Sequence, residues 1–98
     1  MQVYGFDWDK GNWPKCGKHG VRRAEIEQAI LNNPLVLKDR YPDDIEERFN
    51  AVGCNDAGRH LFVVFTIREN TKGKLIRPVS ARYMHEKEIR QYEQTKQS

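Results

Sequence analysis

The chain has 98 residues, 38% of them hydrophobic and 32% charged, with a formal net charge of +3, a pI near 9.0 and a mean hydropathy of -0.86. This describes one small domain with a modest core; ten aromatic residues and several apolar runs exclude a disordered chain, and no apolar run approaches the roughly 20 residues that span a bilayer. The first residues, Met1 to Trp8, include an acid and no signal-peptide core, so a cytoplasmic chain with no membrane partner is expected.

In chain order, Val3 to Trp8 alternates as a first strand, and Lys10 to Lys18, broken by Gly11, Pro14 and Gly17, predicts a short helical turn with Trp13 as an anchor. Val21 to Asn32 reads as a helix, because Ile26, Ala29 and Ile30 recur at i, i+3, i+4; Asn32-Asn33-Pro34 stops it. Leu35 to Leu37 is a short strand and Tyr41 to Asp44 a turn. Glu46 to Cys54 is a strand, joined through Asn55-Asp56-Ala57-Gly58 to Leu61–Ile67, which is apolar almost throughout and predicts a central strand covered on both faces. Asn70-Thr71-Lys72-Gly73 turns into a strand from Leu75 to Ala81, where Pro78 signals an edge or a bulge. A helix from Met84 or His85 to about Gln94 closes the chain. The order predicts a single α+β domain over residues 1–98: an N-terminal strand plus a four-strand antiparallel meander, with the helices on one face.

Charge is unevenly spread. Residues 1–45 carry seven basic and seven acidic side chains, whereas residues 46–98 carry ten and seven and so supply the whole excess. The cation preferred there is arginine, at 48, 59, 68, 77, 82 and 90, and arginine forks onto phosphate or carboxylate as lysine does not. Two of these stand on the Leu75–Ala81 strand or at its exit, and two more bracket the apolar strand. Guanidinium groups along a sheet point to an anionic partner, above all RNA or an acidic protein. Cys16 and Cys54 form no Cys-x-x-Cys pair and the three histidines are scattered, so free thiols and no metal or other cofactor are expected.

Four segments in order, Phe6-Asp7-Trp8-Asp9, Lys18-His19-Gly20-Val21, Glu47-Arg48 ahead of Gly58-Arg59-His60-Leu61, and Ile76-Arg77 with Ser80-Ala81-Arg82, resemble the BrnT family of type II toxins, a branch of the RelE/ParE-like superfamily. The resemblance runs from Tyr4 to about Tyr92. It implies a RelE-like fold and a ribonuclease toxin that inhibits translation, held in check by a DNA-binding antitoxin of BrnA type in a heteromeric complex; alone, the chain would be a monomer or a weak dimer. Three positions depart from the family pattern. Arg22 stands where a small hydroxyl residue would cap the helix, His85-x-x-Glu88 replaces a Ser/Thr capping box, and Pro78 replaces a branched apolar residue.

Residue type and the resemblance together suggest how such a site works. In metal-independent RNA cleavage the 2′-hydroxyl attacks the adjacent phosphate, and the protein moves protons and stabilises the developing charge. Rigid donors aimed at that charge commonly contribute ~3–4 kcal/mol each. Arg77 and Arg82 lead for this role, then Arg48; His19 is the natural general base or acid, with Glu47 second. Lys18, Arg59 and Arg68 would track the RNA backbone, and Tyr92 would stack on a base or donate a hydrogen bond. The alternative is a non-catalytic RNA- or protein-binding module, in which Arg82 locks the strand–helix junction through Glu86 or Glu47, and Trp8 and Trp13 are core aromatics.

Overall fold

The computed structural model describes residues 5–38 and 47–97, with side chains through residue 94. Its elements are β1 (Gly5–Phe6), a 3₁₀ turn (Lys15–Gly17), α1 (Arg23–Leu31), β2 (Leu35–Lys38), β3 (Arg48–Cys54), β4 (His60–Asn70), β5 (Gly73–Tyr83) and α2 (Glu86–Gln97). One five-stranded sheet runs in the order β1-β5-β4-β3-β2. The meander β2–β5 is antiparallel throughout, and β1 pairs parallel with β5. The α+β class and the meander are as the sequence predicts; the sheet is mixed and mostly antiparallel. No helix among the described residues is long and apolar enough to cross a membrane.

Strand alternation sorts the sheet into two faces. Leu61, Val63 and Phe65 of β4 point to one of them, together with Ala51 of β3 and Ala81 of β5, and all are buried. Ile26 and Ala29 of α1 lie in the same core, as their helical spacing predicts. Each large apolar side chain buried here contributes about 1.5–3 kcal/mol. The helix comes so close to β3 that a Cβ on Gly53 would overlap the Ala29 carbonyl oxygen. Trp8 and Trp13 pack edge to face at 5.5 Å against this core, the aromatic role expected of them.

Several expectations need correction. The first strand is only Gly5–Phe6, and Val3 and Tyr4 lie outside the described residues. After Asp7 donates its N–H to the Ile76 carbonyl at 2.8 Å, the chain turns, with the Trp13 N–H on the Asp9 carbonyl at 2.9 Å. The third strand starts at Arg48, with Glu47 outside it; Glu46 and the turn at Tyr41–Asp44 lie outside the described residues. β4 is longer than its apolar run, and only one of its faces is fully covered: Phe62 and Val64 remain half-exposed on the other. Nor do the helices share a face. α2 lies at the His60 end of the outer face, where Tyr92 meets the His60 ring at 5.7 Å and Glu93 approaches His60 Nε2 to 3.5 Å. Its residues are mostly polar, so it docks by such pairs rather than by an apolar stripe.

The unusual caps resolve locally. Arg22 provides no acceptor, but Glu25 accepts the Arg22 N–H at 3.0 Å, the half of a capping box that needs only the glutamate. Likewise Glu88 accepts the His85 N–H at 2.9 Å at the start of α2. α1 ends as the sequence predicts, with Asn33 at φ 51° ahead of Pro34.

Glu25 ties α1 to the sheet. It is 5% exposed and accepts from Asn55 Nδ2 at 2.8 Å and the Tyr83 hydroxyl at 2.8 Å. Asn55 in turn accepts the Ala57 and Arg59 N–H groups, shaping the β3–β4 turn, where Gly58 takes φ 86°. Burial by itself would raise the Glu25 pKa; the hydrogen bonds from Arg22, Tyr83 and Asn55 outweigh it and bring the value to about 2. A carboxyl lowered below its unfolded value near 4.3 stabilises the fold fully above that value, and the contribution fades as pH falls toward about 2. Glu25→Gln is expected to cost about 1–3 kcal/mol near neutral pH and to flatten the acid limb of the stability profile. Urea unfolding across the range from neutral to strongly acid pH measures both; an unchanged acid limb in the variant would remove Glu25 from this role.

Candidate functional site

The sheet face opposite α1 carries three cross-strand rows: Arg48–Thr66–Arg77, then Asn50–Val64–Ser80, then Val52–Phe62–Arg82. Between Val64 and Phe65 the register with β5 shifts, leaving Val79 as the extra residue of a bulge. Pro78 sits at this bulge, where β1 no longer pairs, so its missing N–H interrupts no ladder bond. Its carbonyl accepts from Asn12 Nδ2 at 2.9 Å. Asn12 is 2% exposed; the same amide nitrogen donates to the Asp7 carbonyl, and its Oδ1 accepts the Asp9 N–H. This one side chain fastens the segment from Asp9 to Lys18 along the open edge of β5. Cys16 anchors the 3₁₀ turn from beneath, its thiol pKa pushed up by burial.

The fastened segment, the bulge and the outer face enclose a cleft of about 550 Å³, with Phe62 and Val64 as its floor and Arg48, Arg77 and Lys15 around it. A smaller recess of about 190 Å³ adjoins it through Lys15, Val79 and Ser80 and is bordered by Lys18 and His19. Among the described residues, every charged side chain lining either space is basic or histidine, and no carboxylate lines them.

The arginines differ in how they are held. Arg77 Nη1 donates to Asp7 at 3.2 Å and Asp9 at 3.0 Å, and Nη2 donates to Asp9 at 3.0 Å. These bonds use three of its five N–H donors. They hold the Asp9 carboxyl below its usual range, helped by the Gly11 N–H, and raise the Arg77 pKa. Arg82 makes a two-pronged pair with Glu88 at 2.8 and 2.7 Å and lies 4.9 Å from the centre of the Phe62 ring. That pair, reinforced by the His85 N–H, lowers the Glu88 pKa to about 2. Arg82 therefore does lock the strand–helix junction, through Glu88 rather than Glu86 or Glu47. Arg48, Lys15 and Lys18 have no ion-pair partner among the described residues.

Of the residues singled out in the sequence, the fold brings Arg48, Arg77, Lys18 and His19 to the cleft and its recess, and sets Arg82 beside it across Phe62. Others lie elsewhere. Glu47 is exposed just before β3 and pairs with Lys38 at 3.9 Å. Arg59 stacks on Tyr83, 3.4 Å from the ring centre, at the far end of the sheet. Tyr92 meets His60 on α2. Arg68 lies beyond Arg77 toward the β4–β5 turn, close enough for its charge to act on Asp9. The cleft adds Lys15 and Asn50, neither of which belongs to a motif, and Ser80, which the sequence named only as part of the Ser80-Ala81-Arg82 segment. Strand alternation from Arg48 would have found Asn50; nothing local marks Lys15, which reaches the cleft because Asn12 folds its segment over the sheet.

No curated protein sequence matches the chain. Residues 8–88, which include the whole cleft, match the family model described as the ribonuclease toxin, BrnT, of type II toxin-antitoxin system. The order of segments seen in the sequence and the extent of this match agree: the chain belongs to the BrnT family of ribonuclease toxins of type II toxin–antitoxin systems.

Proposed function

We propose that this chain is an active endoribonuclease that cleaves RNA without a metal ion, in the cleft between the β5 bulge and the 9–18 segment. The observation that carries the reading is the lining: Arg48, Arg77 and Lys15 around the cleft, no carboxylate among the described lining residues, and His19 at the adjoining recess. The RNA 2′-hydroxyl attacks the neighbouring phosphorus as the P–O5′ bond breaks, leaving a 2′,3′-cyclic phosphate and a 5′-hydroxyl. The 2′-oxygen loses a proton and the 5′-oxygen gains one. His19 is the proton-transfer group of the set that reaches this space, and Glu47 stays outside it. Arg48 and the two remaining donors of Arg77 face the charge that builds on the phosphate; Lys15 and Lys18 hold the flanking backbone.

The family sets this activity beside an antitoxin partner. We take that partner to be of BrnA type and the cellular effect to be inhibited translation in the cytoplasm, on a RelE-like scaffold. A cationic cleft suits neutralisation by an acidic helix or arm laid across it, which would exclude RNA at the same time. The carboxylates on Arg77 and Arg82 favour a second reading, a binding module without turnover, whose RNA affinity falls steeply with salt and which leaves no products.

Arg48→Ala is expected to lower the single-turnover cleavage rate by about 10²–10³. Lys15→Ala is expected chiefly to weaken binding and reduce its salt slope by about one. Growth arrest on expression, lost in Arg48→Ala, with cyclic-phosphate ends on the RNA products, would support catalysis; soluble protein that binds RNA without products would establish the binding module. Arg82 is separated from a purely structural role by Glu88→Gln, which releases its guanidinium. If Arg82 acts on RNA, Arg82→Ala weakens binding and Glu88→Gln strengthens it, whereas loss in both variants would confine Arg82 to holding α2.

A further inference from the structure

A sheet face left open to solvent is ordinarily polar. Here its centre is not: Phe62 and Val64, at alternate positions of β4, are half-exposed and form the cleft floor. α2 covers only the His60 end of this face. Asn50 and Ser80 flank Val64 in the same cross-strand row, and neither side chain has a hydrogen-bond partner among the described residues. Adjacent strands lie ~4.8 Å apart, so these two stand about 10 Å from each other across the apolar floor. An apolar floor with an unpaired amide on one side and a hydroxyl on the other does not suit a phosphate. It suits a flat heterocycle with a polar edge.

We infer that this floor is a nucleobase subsite: an adenine of the bound RNA lies on Val64 and Phe62 with its donor–acceptor edge against the Asn50 amide. The inference rests on the cleft being the RNA-binding surface. Asparagine presents a carbonyl acceptor and an N–H donor side by side, the complement of adenine's amino group and ring nitrogen. In single-stranded RNA these edges are free, and bases stack on aromatic rings or guanidinium planes. The Arg82 guanidinium, 4.9 Å over the Phe62 ring centre, offers such a plane beside the floor. The attached phosphate then falls toward the neighbouring row, where Arg48 and Arg77 flank Thr66. Asn50 is thus a specificity residue, separate from the groups assigned to proton transfer and charge stabilisation.

The test uses short 2′-O-methyl oligoadenylate and oligouridylate, labelled for fluorescence anisotropy, which lack the nucleophile and cannot be cleaved. Oligoadenylate is expected to bind at least about fivefold tighter. Asn50→Ala should abolish that preference, lowering oligoadenylate affinity to about that of oligouridylate, with thermal unfolding confirming the fold; Asn50→Thr, well suited to a strand, gives the same readout if the alanine variant does not fold. Equal affinities in the native chain, or a preference that survives without Asn50, overturn the subsite. Cleavage of ordinary RNA with no base preference at the cut also overturns it and leaves the ribonuclease reading standing. Adenine preference without cleavage supports the subsite and removes that reading.

Discussion

The cleft depends on one buried amide. Asn12 joins Asp7, Asp9 and the Pro78 carbonyl through three hydrogen bonds, and it does so where β5 has lost its partner strand and, at Pro78, its own N–H. A bare strand edge with unpaired groups is costly to bury and prone to pair with another chain. Covering it with a loop rather than a longer strand has a consequence: the loop is free to arch over the sheet and bring Lys15 above the outer face. The bulge at Val79 contributes from the other side, since the extra residue turns β5 and sets Ser80 at the junction of the cleft and its recess.

Electrostatics on this face follow from which cations have local partners. Arg77 is held by two carboxylates, which fix its guanidinium at the cleft edge and offset its charge. Arg82 is likewise committed to Glu88. Arg48, Lys15 and Lys18 have no such partners among the described residues, and they surround a space lined by no described carboxylate. The attraction for an anion thus comes mainly from residues outside the Ile76–Arg82 stretch. Rigid arginines and unpaired cations play different parts: the first give fixed geometry, the second give net field.

The opposite face is organised by Glu25, whose buried carboxylate joins the start of α1, the β3–β4 turn and the end of β5. This explains how a helix with arginine at its cap position remains well seated, and why Arg59 and Tyr83 serve the frame rather than the cleft. α2 is attached differently, by the Arg82–Glu88 ion pair, the approach of Glu93 to His60 and one ring contact at the sheet's end. Core and site therefore occupy opposite faces of one sheet, and α2 borders the site without closing it.

Much of the frame was legible locally. The i, i+3, i+4 spacing of Ile26, Ala29 and Ile30, the Asn–Gly turns, the stop at Asn33-Pro34 and the bulge signal of Pro78 all correspond to what the chain does, because each depends on neighbouring residues alone. Misreadings arose where the answer depended on what lies across space. An unbroken apolar run on β4 looks the same whether one face is covered or two; its second face stayed open because α2 is too polar to pack over it. Arginine spacing likewise could not show which guanidinium would meet a carboxylate: Asp7 and Asp9 reach Arg77 only once β1 runs parallel to β5. The sequence by itself determined the elements, their antiparallel meander and the family to which the chain belongs, since these rest on periodicity, turns and short motifs. Tertiary structure alone decided which cations stay unpaired among the described residues, that Lys15 and Asn50 join them, and that Glu47 and Arg59 do not, because those outcomes depend on which side chains meet across space, from nine residues apart for Lys38 and Glu47 to 70 for Asp7 and Arg77.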